Sequence, residues 1–260
     1  MANHPLNPVL DYRISARYGA REVLREVTGQ ISAKEIVALV GLSGSGKSTL
    51  ALSLLRLLRY RGGEVEGSIV LEGTELIAKS DKEMRAVLGK RIGYVPQSPA
   101  SALNDRLKVE TLLEETWRAH SSAPAAADFY SKLLDSVQLP NAPAFLRQRA
   151  GQLSTGQGQR LLIALAIMHK PALLIADEPI SALDAITQAS VLKLFQQLNQ
   201  RDGTAILFIS HDLLSIASIS HRVEILHEGR IVESGPPHEI FREPKHEFTQ
   251  RLVAAMPRLP

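Results

Sequence analysis

The sequence predicts an α/β protein built on a mixed, mainly parallel sheet covered by helices. Three observations predict it: apolar runs at 37–40, 173–176 and 204–209, helix-period stretches at 154–170 and 185–200, and a glycine-rich loop joining the first run to a leucine-rich stretch.

Each element follows from its local pattern. Leu10, Tyr12, Ile14, Ala16 and Tyr18 alternate with Asp11, Arg13, Ser15 and Arg17, the period of a half-buried strand. The run 37–40 reads as a strand, the glycines after it as a loop, and the stretch from Ser48 as a long helix. Further strands read at 67–73 and at 91–97, the second stopping at Pro96. From 98 to 151 the strand pattern gives way to polar, alanine-rich, proline-punctuated sequence, with helical spacing at 109–119 and 129–139. This reads as a helical insert. A helix (154–170), a buried strand (173–176), a helix (185–200), a strand (204–209) and a hairpin at Glu228-Gly229 complete the series. In such a sheet, phosphate sites lie at the carboxyl ends of the strands.

Composition excludes several functions. The 260 residues contain no cysteine, which removes disulfide scaffolds, thiolate metal centres, iron–sulfur ligation and cysteine nucleophiles together. A net charge of +3 is too small to make a nucleic-acid footprint. The longest apolar run, 161–168, falls short of the ~18–20 residues a spanning helix needs. Residues 1–13 lack a basic segment followed by an apolar core. The expectation is a protein of the cytosol, with any membrane link made through a partner.

Three segments carry chemistry. Gly41-Leu42-Ser43-Gly44-Ser45-Gly46-Lys47-Ser48 fits G-x-x-x-x-G-K-[ST] between a strand and a helix, as that motif requires. Its glycines let successive N–H groups point at phosphate oxygens. Lys47 supplies a cation for the terminal phosphates, Ser48 a hydroxyl for Mg²⁺, and the helix N-terminus its partial positive charge. Thr49 completes the nucleotide-binding set. The competing reading is a glycine-rich turn that only caps a helix. Leu173-Leu174-Ile175-Ala176-Asp177-Glu178 is an apolar strand ending in two carboxylates. Asp177 suits a Mg²⁺ shell and Glu178 the activation of a water, if the chain turns there to offer both to one site. Taken alone, the pair reads as a solvated loop. Ser154 with Gln157, ahead of the run 161–168, is a capping box. It is a helix start and no more, or, with the Gly156 backbone and the Ser154 hydroxyl, a second anion site.

The ordered set of residues 41–48, Gln97, Leu153-Ser154-Thr155-Gly156-Gln157, 173–178, Ser181-Ala182-Leu183-Asp184 and His211 resembles the nucleotide-binding subunit of ATP-binding-cassette (ABC) transporters. The resemblance runs from about Leu10 to the C-terminus. It implies a P-loop NTPase fold with an N-terminal antiparallel β portion. It divides the single domain into a nucleotide-binding core at 1–97 and 153–235, a helical insert at 98–152 and a helical tail at 236–260. It implies ATP and Mg²⁺. Tyr18 resembles the aromatic that stacks on adenine, and Gln97 the glutamine that touches Mg²⁺ or the attacking water. His211 resembles the histidine that holds the γ-phosphate, and Asp184 the aspartate that bridges to the opposite subunit. The plain alternatives are a strand-end aromatic for Tyr18, a surface glutamine for Gln97 and a structural histidine for His211. The resemblance also implies a dimer with ATP between the phosphate loop of one subunit and the 154–157 segment of the other, so one chain alone hydrolyses poorly.

Two segments narrow the branch. Gln97-Ser98-Pro99-Ala100-Ser101-Ala102-Leu103-Asn104, and Glu239, Ile240, Phe241, Pro244, His246, Phe248, Thr249, Arg251 and Leu252 near the end, resemble the ATPases of peptide and nickel importers. This branch implies a membrane permease, a second ATPase subunit (heterodimer or homodimer), a solute-binding protein and a place at the cytoplasmic face of the membrane. Nucleic acid is not among the partners. Glu247 and Phe248 depart from the usual Pro-Tyr, and the sequence has no cysteine-rich extension, so no iron–sulfur cluster is expected. Thr155 replaces a signature glycine, at a cost only where φ must be positive. Lys34 replaces a turn glycine and Ile180 a threonine, each with local effect only. His227, His238 and His246 read as solvated surface residues rather than a nickel site, and Arg56, Arg59, Arg61, Arg147 and Arg149 as solvated faces, the alternative for Arg147 and Arg149 being a place near the membrane subunit. Two other functions compete: a soluble cassette ATPase of DNA repair or translation, which lacks support because no second cassette or coiled-coil insertion is seen, and a cassette that binds ATP without turning it over, which Thr155 alone supports.

Overall fold

The computed structural model describes residues 8–255; residues 1–7 and 256–260 lie outside it, and with them the ends of the expected core and tail and the start of the segment read at 1–13. The strands are β1 (Leu10–Tyr18), β2 (Arg21–Ile31), β3 (Ile36–Val40), β4 (Glu64–Leu71), β5 (Thr74–Glu75), β6 (Ile92–Val95), β7 (Leu173–Asp177), β8 (Ala205–Ser210), β9 (Arg222–His227) and β10 (Arg230–Gly235). The helices are α1 (Lys47–Leu54), α2 (Asp81–Val87), α3 (Pro99–Ala102), α4 (Val109–Arg118), α5 (Phe129–Ser136), α6 (Pro143–Leu146), α7 (Thr155–Ile167), α8 (Ala185–Asp202), α9 (Leu213–Ala217), α10 (Pro237–Arg242) and α11 (Glu247–Ala254). Two compact units divide the chain: residues up to 80 with those from 205 onward, and residues 81–204.

The first unit opens with an antiparallel sheet in the order β2-β1-β4-β5. β1 buries Leu10, Tyr12, Ile14 and Ala16, as its alternation predicts. β2 has no counterpart in the sequence reading. Its buried residues Leu24 and Val27 are three apart because a bulge opposite β1, with Glu26 at φ 47°, switches the inward face, while Val27 and Ile31 keep the regular alternation with Gly29 between them. β4 begins at Glu64 rather than 67, and Gly67 lies inside it. A β-carbon there would stand 2.0 Å from the Arg13 carbonyl oxygen, so the glycine marks a close approach of strands and not a boundary.

β3 runs parallel between β8 and β9, and β10 returns antiparallel on β9. Every residue of β3 and β8 is buried, hence their continuous apolar sequence. α1 is shorter than its leucines suggest. It ends at Leu54, and Arg56, in left-handed backbone (φ 58°), leads into a single 3₁₀ turn, Leu58–Arg61. Arg56 is not on a solvated face: its guanidinium donates to the carbonyls of Leu76 and Ile77.

Two further clusters hold this unit. Glu224 on β9 is buried, accepting from Arg222 and, at 3.4 Å, from the Tyr12 hydroxyl, while Arg222 Nε donates to Glu35 at 2.9 Å. Burial pushes the Glu224 carboxyl above its usual range against the pull of Arg222. At the C-terminal end, Glu233 accepts from the amides of Lys245 and His246, and His246 Nδ1 accepts from the Phe248 amide. His227 stacks on Phe248 with 3.8 Å between ring centroids. His227 and His246 are therefore structural, correcting the solvated reading.

In the second unit β6 and β7 pair in parallel, Ile92 opposite Leu173. The segment expected as a helical insert carries α3 to α6. Trp117 of α4 packs on Phe129 of α5 (4.6 Å between centroids) and on His169 (5.3 Å), and His120 meets His169 edge-on at 5.1 Å. α8 runs two residues past its expected end and stops at Gly203, whose φ of 73° closes the helix.

Candidate functional site

The first unit supplies the glycine loop. Buried β3 ends at Val40, the loop follows, and α1 starts at Lys47. Gly46 is the residue before the helix, at φ 110°, where a β-carbon would fall 2.8 Å from Leu24 Cδ2; only glycine fits both constraints. No side chain caps α1. Lys47 is buried, and its Nζ donates to the carbonyls of Gly41 (2.8 Å) and Leu42 (3.1 Å), so the cation lies folded across its own loop. The Ser45 hydroxyl is buried with no hydrogen-bond partner among the described residues. A loop with amides at a helix start, an internal cation and an orphaned hydroxyl fits an anion with several oxygens. Tyr18 closes β1, and exposed His211 directly follows β8.

The second unit supplies the carboxylates. β7 is buried throughout and delivers buried Asp177 at its last position. Glu178 follows in left-handed backbone, φ 47°, which is the turn that the carboxylate pair required. A non-glycine residue held there is strained, and such strain collects at functional positions. Gln97, two residues beyond β6, donates from Nε2 to Glu178 Oε2 at 3.1 Å. The predicted base and the predicted glutamine are thus in direct contact.

The signature segment forms a closed capping box. Ser154 Oγ accepts from the Gln157 amide at 3.2 Å, and Gln157 Oε1 accepts from the Ser154 amide at 3.0 Å. Thr155 is the first residue of α7, in ordinary helical backbone, so its β-branch meets no positive φ. Lys34 does adopt left-handed backbone (φ 62°), where the missing glycine costs about 1 kcal/mol. Ile180 is buried. Asp184 caps α8, accepting the Thr187 amide at 3.1 Å and the Thr187 hydroxyl at 2.7 Å. These bonds, the hydroxyl's first, hold its carboxyl below the usual range. Thr187 is the site residue missed in the sequence. Its spacing of three from Asp184 is the capping spacing already used for Ser154 and Gln157.

Among the described residues no helix is long and apolar enough to cross a membrane. Residues 24–181 match a family described as ABC transporter. A protein of Brucella ovis, provisionally named a peptide import ATP-binding protein, is 41% identical over 273 residues, covering 100% of this chain and 80% of its own. The oligopeptide transport ATP-binding protein OppD of Bacillus subtilis is 39% identical over 256 residues, covering 96% of this chain and 72% of its own. Among solved structures, a dimeric post-hydrolysis state of the ATP-binding cassette MJ0796 with ADP and Pi superposes with a TM-score of 0.75 at 24% identity, covering 88% of this chain and 98% of that one, a likeness of fold.

Proposed function

The chain belongs to the ABC transporter ATP-binding family, and from that membership we propose that it is the ATP-hydrolysing subunit driving an importer of peptides. Similarity along the whole chain to two proteins named for peptide transport favours that cargo over nickel. The observation that carries the nucleotide part is the glycine loop, with Lys47 folded across it and the Ser45 hydroxyl buried and unpartnered.

In this reading the amides of residues 41–46, with Lys47 and Thr49, hold the phosphates, and Tyr18 stacks on the adenine. Ser48, Asp177 and the Gln97 amide oxygen are hard oxygen donors, the kind Mg²⁺ takes. The ion would screen the phosphate charge. Glu178 takes a proton from the attacking water as its oxygen bonds to the terminal phosphorus and the bond to ADP breaks. His211 orients that water and phosphate. Ser154, Gly156, Gln157 and Asp184 face the nucleotide of a partner ATPase subunit, a paralogue or a second copy of this chain. Residues 98–152 and 236–260 serve as insert and tail, and the subunit sits at the cytoplasmic face through its permease, with a solute-binding protein delivering cargo and no nucleic acid involved. Thr155 stands in unstrained helical backbone, which removes the backbone ground for a cassette that binds without turnover.

Lys47→Ala tests the reading. Removing the loop's internal cation leaves the terminal phosphate charge uncompensated, and ATP affinity falls at least about 100-fold, two decades at 1.4 kcal/mol each. A nucleotide titration with unchanged affinity refutes the phosphate-loop role. Purifying the chain from membranes without an accompanying integral membrane permease refutes the transport role.

A further inference from the structure

In the second unit the first turns of α7 and α8 lie side by side, and one side chain touches both. Thr187 holds each oxygen of the Asp184 carboxylate, one with its amide (3.1 Å) and one with its hydroxyl (2.7 Å). Its methyl group faces the other helix: a β-carbon on Gly156 would stand 3.0 Å from Thr187 Cγ2, so the methyl occupies the space in front of the signature glycine. One turn further on, Arg160 donates to Ser190 Oγ at 2.7 Å and to the Val137 carbonyl at 3.0 Å. Gly156 and Arg160 are four apart on α7, and Thr187 and Ser190 three apart on α8, so both contacts fall on facing stripes and fix the register of the pair.

An ordinary helix start needs none of this from Thr187 beyond its amide. At this third helical position a long Glu or Gln reaches back to the capping residue's own amide, as Gln157 does in α7. The threonine is too short for that and binds the carboxylate instead.

We propose that Thr187 is a positioning residue for hydrolysis: its hydroxyl aims Asp184 and its methyl seats Gly156, so these two elements move as one body. This rests on the reading that both elements face the partner's nucleotide. The hydroxyl arm carries most of the effect, because a hydrogen bond to a charged group outweighs one methyl contact.

The test uses the transporter complex purified from membranes through a tag on this chain, with Thr187→Ser, Thr187→Val and Thr187→Ala. Turnover of ATP with Mg²⁺ is measured on the complex, and ATP affinity and melting temperature on the chain alone. Thr187→Val lowers kcat about tenfold, Thr187→Ser about threefold, and Thr187→Ala by more than either, with affinity of the chain alone unchanged within twofold. Thr187→Val at wild-type turnover, or Thr187→Ser no better than Thr187→Ala, overturns the inference. So does a loss of ATP affinity in the chain alone that matches the loss of turnover, since that marks a general folding defect. If the wild-type chain binds no ATP, the underlying ATPase reading fails first, and that result is distinct from the others.

Discussion

Substitution of Glu178 separates chemistry from folding at one position. Glu178→Gln keeps the side-chain volume and an oxygen for the Gln97 amide, which now donates at 3.1 Å, but removes the carboxylate proposed to accept a proton. Loss of a positioned base costs about 10²–10⁴ in turnover, or about 2.7–5.4 kcal/mol of barrier at 1.36 kcal/mol per decade. The backbone makes an independent prediction. Left-handed φ of 47° costs a non-glycine residue about 1–2 kcal/mol, and Glu178→Gln leaves that cost in place. Glu178→Gly removes it, while the freer unfolded chain takes back about 0.4–1 kcal/mol. The balance is about 0–1.6 kcal/mol in favour of the folded state. The glycine variant therefore loses turnover as the glutamine variant does, yet melts no lower than wild type. Phosphate release at saturating ATP and Mg²⁺ measures the first effect, and a thermal melt the second. Turnover of Glu178→Gln within tenfold of wild type refutes the assignment of the base. A glycine variant melting more than about 3 °C below wild type, the equivalent of about 1 kcal/mol for a chain of this size, refutes the strain argument.

Three other outcomes are expected. Arg222→Met strands the buried Glu224 carboxylate and costs about 3 kcal/mol of stability at pH 7–8 by urea unfolding; because burial raises the Glu224 pKa above its unfolded value, the neutral acid suits the fold at low pH, and the loss shrinks as pH falls toward the unfolded value of 4.5. His120 is held below its ordinary pKa by burial and then by neighbouring His169 and Lys90, so its contribution is complete above the unfolded value of 6.5 and is lost as pH falls below it; the urea-unfolding midpoint, followed by the emission of Trp117, the one tryptophan, falls with it, and His120→Gln flattens that pH dependence. Thr155→Gly does not raise turnover even in the assembled transporter, because it relieves no strain, and it lowers stability by up to about 1 kcal/mol.

What was legible in the sequence was what a single local rule decides. The fully buried strands β3, β7 and β8 announce themselves as apolar runs because burial on both faces leaves no place for polar residues. The glycine loop is legible because Gly46 answers two constraints, positive φ and the approach of Leu24, that exclude every other residue. β2 was not legible, since its bulge sets Leu24 and Val27 three apart and Gly29 leaves Val27 and Ile31 four apart, spacings that imitate a helix. The basic and histidine residues misread as solvated fail for a related reason. Arg56 is bound by carbonyls some twenty residues away in sequence, and His227 by Phe248 from another element, and neither partner leaves a mark in the local pattern.

Thr155, Lys34 and Glu178 sharpen the same point, because residue identity alone left open where strain lies. Two positions departing from a family glycine looked alike in sequence, yet Thr155 sits in unstrained helix while Lys34 carries positive φ. Glu178, which matches its family, also carries positive φ and also pays no visible penalty in sequence. A strained residue persists only where its surroundings over-determine it. At Lys34 the next residue does so, since Glu35 accepts from the Ser32 amide at 2.8 Å and from Arg222 at 2.9 Å, pinning both sides of the turn. At Glu178 the end of a buried strand fixes one side and the Ser181 amide, donating to the Glu178 carbonyl at 3.3 Å, the other. The two strained residues differ in what the side chain then does. Lys34 is an exposed turn residue whose replacement by glycine relieves strain and touches nothing else, whereas Glu178 is turned by the same backbone state toward Gln97, so relief there is expected together with the loss of turnover that its proposed role as base predicts.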